Sequence, residues 1–156
     1  MSDNSSKEIR STLTSEGLLE LSIVNAERPV PGDNDVLLKV EASPINPSDL
    51  GLLISFAADL DSITVSGEGE QTITSMKIHP ALMGAMKPRM DQSMQVGNEG
   101  GGVVVDAGAN AQHLIGKTVG AAGGAMYSQY RCVPAQRCLV MNEGPTSMEA
   151  SSSFVN

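Results

Sequence analysis

The stretch that decides the fold is VGNEGGGVVVDAGANAQHLIGKTV, which runs from Val96 to Val119. A glycine-rich turn at Gly97–Gly102 leads into three consecutive valines, and later turns hold Gly108 and Gly116. Glycine adopts positive φ and lets two backbones approach closely, whereas β-branched residues favour strands. Short strands separated by glycine turns predict a small all-β barrel. Together with the helices described below, the predicted fold class is mainly β with a few short helices.

Strand-like patterns continue on both sides of this stretch. Apolar and polar residues alternate between turns rich in Gly and Pro, which predicts further strands. A hairpin turn is expected at Ser15–Gly17, between the first two of them. The predicted strands are Glu8–Thr14, Leu18–Ala26, Asp35–Ala42, Thr72–Ile78, Met126–Val133 and Leu139–Met141.

Two short helices are predicted from their start signals. Pro47 lies at the first turn of a helix that begins at Ser48–Leu50, a position that proline tolerates. Thr146 or Ser147 can cap a second helix, with Glu149 in its first turn.

Residues 56–95 fit no single element. They hold a polar, acidic loop at Asp61–Gln71 and a methionine-rich segment at Pro80–Met94, in which Pro88 breaks any single helix. The methionines recur at near-helical spacing, so we interpret them as core-facing. The alternative is a cover over a ligand cleft, because methionine adapts to varied apolar surfaces.

Composition limits the function classes. A chain of 156 residues suits one domain. Its net charge of -8 opposes binding to nucleic acid. The first residues have no apolar signal region, and no apolar run is long enough to span a membrane, so no membrane partner is expected and the cytoplasm is the default location. Cys132 and Cys138 are too few for a disulfide framework and are interpreted as structural thiols.

Three segments together resemble the amino-terminal catalytic domain of the medium-chain dehydrogenase/reductase superfamily, in its alcohol dehydrogenase and quinone oxidoreductase group. They are the glycine-rich stretch from Val96 to Val119, DVLLKVEASPINPSDL from Asp35 to Leu50, and AMYSQYRCVPAQRCLV from Ala125 to Val140. They occur in the family's order. The resemblance implies a GroES-like, partly open β-barrel. It covers the whole chain except the first few residues and the region of about 53–95.

The resemblance also implies a domain organisation. Residues 1–6 are expected to be disordered, residues 7–146 to form the GroES-like domain with an inserted segment at 54–95, and residues 147–156 to start the helix that leads to a nucleotide-binding domain. Gly97–Gly102 is not a dinucleotide fingerprint, because Glu99 stands where the second glycine belongs, and Ala111 rules out a P-loop ending at Gly116–Thr118. NADPH would therefore be bound mainly by that second domain.

Zinc is not expected. In the family's zinc enzymes a catalytic ion has three protein ligands, and the resemblance places these at Asn46, Asn98 and, near the end of the chain, Asn156. A neutral amide is a poor zinc ligand beside thiolate or imidazole. The family's four-cysteine structural lobe is absent, and His79 and His113 are isolated in the sequence.

Asn46 and Asn98 are the candidate catalytic residues. Each amide offers one acceptor and two donors, and a positioned donor stabilises the negative charge that hydride transfer raises on a carbonyl oxygen. The alternative is structural, with Asn46 capping the helix start and Asn98 satisfying turn amides.

Five further residues are assigned to the substrate and cofactor cleft: Ser48, Asp49, Glu99, Tyr127 and Asn156. Each of the charged ones has a structural alternative. Glu99 can stabilise the turn, and Asp49 can act as a charge at the helix start.

The predicted function is that of the substrate-side domain of an NADPH-dependent, zinc-independent oxidoreductase, homodimeric at full length, that reduces quinones, enones or related activated alkenes. One alternative is a stand-alone GroES-like binding or assembly module, which would need an apolar partner-binding loop where Asp61–Gln71 is polar. The other is a zinc-type alcohol dehydrogenase with substituted ligands.

Overall fold

The computed structural model describes residues 4–55, 57, 59–142 and 144–154. Within these ranges, no helix is long and apolar enough to cross a membrane. The two α-helices of the described residues are short, and most regular structure there is strand. The elements are β1 (Ser5–Leu13), β2 (Leu18–Glu27), β3 (Asp35–Ala42), α1 (Leu50–Leu53), β4 (Thr64–Ser66), β5 (Ile73–Lys77), β6 (Ser93–Gln95), β7 (Glu99–Ala107), β8 (Thr118–Ala122), β9 (Tyr130–Pro134), β10 (Cys138–Val140) and α2 (Ser147–Ser151).

The strands of the described residues form two five-stranded sheets. One has the order β4-β5-β2-β1-β6 and the other the order β10-β8-β7-β3-β9. Each sheet ends in two edge strands within the described residues, so neither closes into a complete barrel. The predicted fold class, mainly β with short helices in a partly open arrangement, is confirmed.

The chain divides into two compact units. The first unit contains the described residues of 1–7, 25–45 and 97–156, and the second those of 8–24 and 46–96. Each unit has its own apolar cluster. The buried members are Val36, Leu38, Val104, Ala107, Ala111, Leu114, Val119, Ala121, Met126 and Val133 in the first unit, and Leu13, Leu19, Met76 and Ile78 in the second.

Glycines let backbones meet in the first unit. A Cβ on Gly102 would overlap the carbonyl oxygen of Lys39 on the neighbouring strand β3, and a Cβ on Gly120 would overlap the carbonyl oxygen of Ala150 in α2. Only glycine leaves room for contacts as close as these. The glycine run that identifies β7 in the sequence therefore serves close packing of β3, β7, β8 and α2.

The methionine-rich segment of the second unit is not an α-helix. It contains two single turns of 3-10 helix, Pro80–Leu82 and Lys87–Arg89, each with proline at its start. Met83 and Met86 pack against the apolar cluster of this unit. For these two residues the core-facing interpretation holds.

Three predicted boundaries need correction. β1 already begins at Ser5, so the prediction of disorder is wrong for Ser5 and Ser6. Backbone bonds hold this segment, because Arg28 N donates to Asn4 O and Gln129 N donates to Lys7 O. β9 begins at Tyr130, later than predicted. The loop predicted at Asp61–Gln71 contains the short strand β4.

Candidate active site

The turn before β7 is fixed by main-chain bonds to residues 123–126. Gly97 has a φ of 92°, and its carbonyl oxygen accepts a hydrogen bond from Met126 N at 3.1 Å. The carbonyl oxygen of Asn98 accepts from both Gly123 N and Gly124 N at 3.2 Å. The backbone carbonyl of Asn98 thus satisfies two turn amides, and these bonds hold the half-buried Asn98 in place.

Tyr127 packs against the same turn and fixes it. A Cβ on Gly97 would lie 2.6 Å from Tyr127 Cδ1, so the ring rests directly on the glycine. The Tyr127 hydroxyl donates to Pro44 O at 2.9 Å, and the Ser43 hydroxyl donates to Met126 O at 2.9 Å. Ser43 and Pro44 were not predicted as positioning residues. The only signal for them was their place at the break after β3.

Glu99 is the first residue of β7, opposite Ala122 on β8, and its exposed fraction is 0%. A side chain without access to solvent cannot meet a small molecule directly in this conformation. Its placement favours the interpretation in which Glu99 supports the turn.

The corner that carries Asn46 belongs to the second unit and is a closed turn. Asp49 N donates to Asn46 O at 2.9 Å, and Asn46 N donates to Asp49 Oδ2 at 2.8 Å. Asp49 is 3% exposed, while Ser48 is exposed. Asp49 directly precedes α1, and its two bonds with Asn46 close the turn that leads into this helix, so the interpretation of Asn46 as a cap of the helix start stays open. The Asp49 carboxylate holds the corner that presents the half-buried Asn46.

The predicted site residues thus fall into two local groups. Asn98, Glu99 and Tyr127 belong to the turn before β7, and Asn46, Ser48 and Asp49 belong to the corner before α1. Asn156 lies outside the described residues. That the two groups face one cleft stays a prediction.

Among the described residues, neither a cluster of metal ligands nor an activated thiol stands out. In the part of the chain that the structure describes, no group of three or more His, Cys, Asp or Glu could hold a metal ion. Burial raises the pKa of the Cys138 thiol to about 11. Burial, and then the carboxylate of Asp35, raise the pKa of Cys132. Thiols held protonated are weak nucleophiles, which fits their interpretation as structural residues.

The fold is that of one part of the quinone oxidoreductases. The Coxiella burnetii quinone oxidoreductase matches with a TM-score of 0.61 at 18% identity, over 97% of this chain and 41% of that one. The Escherichia coli quinone oxidoreductase, solved in complex with NADPH, matches with a TM-score of 0.58 at 17% identity, over 95% and 37%. The resemblance that the motifs predict is confirmed at the level of the fold.

The same fold also occurs in a solved structure that is not named a quinone oxidoreductase. The human synaptic vesicle membrane protein VAT-1 homolog-like protein matches with a TM-score of 0.61 at 15% identity, over 94% of this chain and 38% of that one. No protein-family model and no curated protein matches the sequence. The chain spans about two fifths of the length of the structures that it resembles, from 37% to 41% for these three.

Proposed function

We propose that this chain is the substrate-side domain of an NADPH-dependent, zinc-independent oxidoreductase that reduces quinones, enones or related activated alkenes. One observation supports the proposal above the others. Nearly the whole chain matches quinone oxidoreductase structures, and it matches only about two fifths of each, for example 97% against 41%. The remaining part of such a protein would carry most of the NADPH site.

The two asparagines supply the chemistry assigned to this domain. Hydride transfer to an enone or quinone places negative charge on a carbonyl oxygen, and a pre-positioned N–H donor stabilises that charge in the transition state. The Asn98 carbonyl accepts two hydrogen bonds. The Asn46 carbonyl accepts from Asp49 N, and Asn46 N donates to the Asp49 carboxylate. Donors on such fixed backbones need little reorganisation at the moment of reaction.

The chemistry of the asparagine side chains favours a site without zinc. Amide groups stand at the positions where the resemblance places thiolate or imidazole. Thiolate and imidazole each bind zinc more strongly than an amide does. Ser48 lies in the same corner as Asn46, and Tyr127 would act mainly by fixing Gly97, next to Asn98.

The test uses the longest chain that the gene encodes. NADPH oxidation is followed with a panel of quinones and enones, and metal content is measured on the same sample. We expect turnover without bound zinc. Stoichiometric zinc would contradict the metal-free site, and no turnover with any acceptor would favour a binding module over an enzyme.

Substitutions then test the site separately from the function. Asn46→Ala and Asn98→Ala should each lower kcat by about a hundredfold, the usual effect of removing one oxyanion donor. Asn98→Asp should be at least as harmful, because it replaces a donor by a negative charge. Asn25→Ala removes an exposed asparagine on β2 and is the matched control. If the three site variants keep the full activity of the Asn25→Ala control, the assignment of the asparagines is wrong even if the enzyme is a reductase.

A further inference from the structure

On one face of the sheet in the second unit, apolar side chains continue past the buried core to positions that are exposed to solvent. Leu19 and Met76 are paired across β2 and β5 and are both buried. Two residues further along β2, Leu21 pairs with Thr74, and Thr74 pairs with Val65 on β4. Residues opposite each other, or two apart on a strand, share a face. Val65 and Ile23 therefore lie on the face that Leu19 and Met76 bury.

At this end the face is open to solvent. Val65 is 66% exposed and Ile23 is 41% exposed. Ile63, just before β4, is 43% exposed, and Leu60 in the preceding turn is 53% exposed. We call Ile23, Leu60, Ile63 and Val65 the β4 patch. Exposed apolar side chains that follow one another within one short segment, as at 60–65, mark interaction surfaces more often than single ones do.

The backbone at the patch is also open to pairing. β4 is the last strand of its sheet within the described residues. In an antiparallel ladder alternate residues turn their N–H and C=O groups away from the neighbouring strand. The outer side of β4 thus offers backbone groups to an added strand, the geometry of β-augmentation.

The acidic residues around β4 indicate which kind of ligand the β4 patch would bind. Residues 59–70, DLDSITVSGEGE, contain four acidic residues and no Lys or Arg. Asp59 and Asp61 precede β4, Glu68 and Glu70 follow it, and all four are exposed. Lys77 on β5 contacts segment 59–70 through its backbone N–H, which donates to Ser62 Oγ. A second copy of this chain, with its net charge of -8, would be repelled.

We propose that the β4 patch binds an extended segment of a partner in which valine or isoleucine alternates with lysine or arginine. The segment adds a strand outside β4, its apolar side chains cover Val65 and Ile63, and its cations meet the carboxylates at both ends. Alternation suits the strand period of two, with the apolar side chains on the patch and the cations on the other face, from which they approach the carboxylates at the two ends of β4. The inference does not depend on the reductase activity.

The test measures fluorescence anisotropy of a labelled peptide of about nine residues, the upper range of common strand lengths, in which valine alternates with lysine. Saturable binding that weakens as salt is added is expected. The same peptide with glutamate in place of lysine should not bind, nor should one with proline at alternate positions, because proline cannot donate to a ladder.

Two variants locate the site. Val65→Ser should weaken binding about tenfold, as the loss of one buried valine contact predicts. Val30→Ser, which removes an 85% exposed valine of the first unit, is the matched control and should change nothing. The double variant Asp61→Asn with Glu68→Gln should remove most of the salt dependence, whereas Glu27→Gln should retain it.

Several results would overturn the proposal. They are equal binding of the lysine and glutamate peptides, absence of saturable binding by the lysine peptide, and equal affinity of Val65→Ser and the unchanged chain. Sedimentation of the chain alone adds a further outcome. A concentration-dependent dimer that Val65→Ser abolishes would mean that a second copy, and not a basic partner, occupies the patch.

Discussion

Gly97 is the residue on which the candidate site depends most directly. Its φ of 92° disfavours any side chain, and a Cβ there would lie 2.6 Å from both Cδ1 and N of Tyr127. Gly97→Ala should therefore lower the free energy of unfolding by about 3 kcal/mol, the sum of backbone strain and overpacking. Urea unfolding measures it.

Gly124→Ala separates these two causes. Gly124 also has positive φ, 74°, but a Cβ there would have no neighbour within 4 Å. It should cost only the backbone strain, about 1 kcal/mol. Equal losses at the two positions would show that the Tyr127 contact contributes nothing.

Cys138 gives the protein a measurable response to alkaline pH. Burial raises the pKa of its thiol from 9.0 to about 11. Between these values the unfolded chain has lost the proton and the folded chain has kept it, so stability falls as pH rises, while below pH 9 the thiol has no effect. Cys138→Ala should lose less stability between about pH 8 and about pH 11 than the unchanged chain does.

Other groups titrate in this range, so the difference between the two proteins is the quantity to compare. An identical fall in urea stability for both would mean that the thiol is not held protonated by the fold. As a second measure, a disulfide reagent should label Cys138 slowly in the native protein and quickly in urea.

Individual site residues were only partly predictable. The identities of Asn46 and Asn98 come from the sequence, but their candidacy comes from the family resemblance, since nothing in their local pattern distinguishes them from turn asparagines. The bond from Tyr127 to Pro44 joins residues 83 positions apart. No local pattern reports such a bond, so Ser43 and Pro44 were missed.

At the level of elements, helix α2 has the most complete local specification. The Thr146 side chain accepts from Glu149 N at 3.3 Å, and Thr146 N donates to Glu149 Oε2 at 2.7 Å, which makes a capping box. Thr146→Ala should lower the free energy of unfolding by about 1 kcal/mol. A loss of helix signal without any loss of stability would contradict the idea that α2 is packed on the sheet.

The same box makes α2 sensitive to acid. The Thr146 backbone N–H, and then its hydroxyl, lower the pKa of Glu149. The carboxylate therefore stabilises the folded state above its ordinary pKa, and that contribution is lost as pH falls through the lowered value. Glu149→Gln should be less stable than the unchanged chain at neutral pH and should approach it in acid, whereas Glu27→Gln should show no such convergence.

Elements were predictable where the pattern is local. Strand β3 occupies Asp35–Ala42, as its alternation predicts, and the Thr146 cap follows from four neighbouring residues. β4 was not predictable, because its three residues are defined by pairing with β5 across intervening turns. The methionine-rich segment misleads for a similar reason, since two prolines divide a helix-like spacing into separate 3-10 turns.

At the scale of the whole molecule, the fold and the acidic charge lead to different kinds of expectation. The fold follows from three motifs that keep their order along the chain. The net charge of -8 sets solubility and repels anions such as a dinucleotide. For a domain of this charge, without a glycine fingerprint for phosphates, we expect weak binding of NADPH on its own.

The last prediction therefore concerns residues 1–156 as a separate protein. We expect the purified chain to bind NADPH too weakly to change its fluorescence and to show no NADPH oxidation with a quinone. The reason is that the solved relatives in fold are more than twice as long, with 37% of the Escherichia coli enzyme covered. Titration of NADPH, with the longest chain that the gene encodes as the positive control, measures this. Turnover by residues 1–156 alone would show that the dinucleotide is held within this domain, and the division of labour proposed above would have to be abandoned.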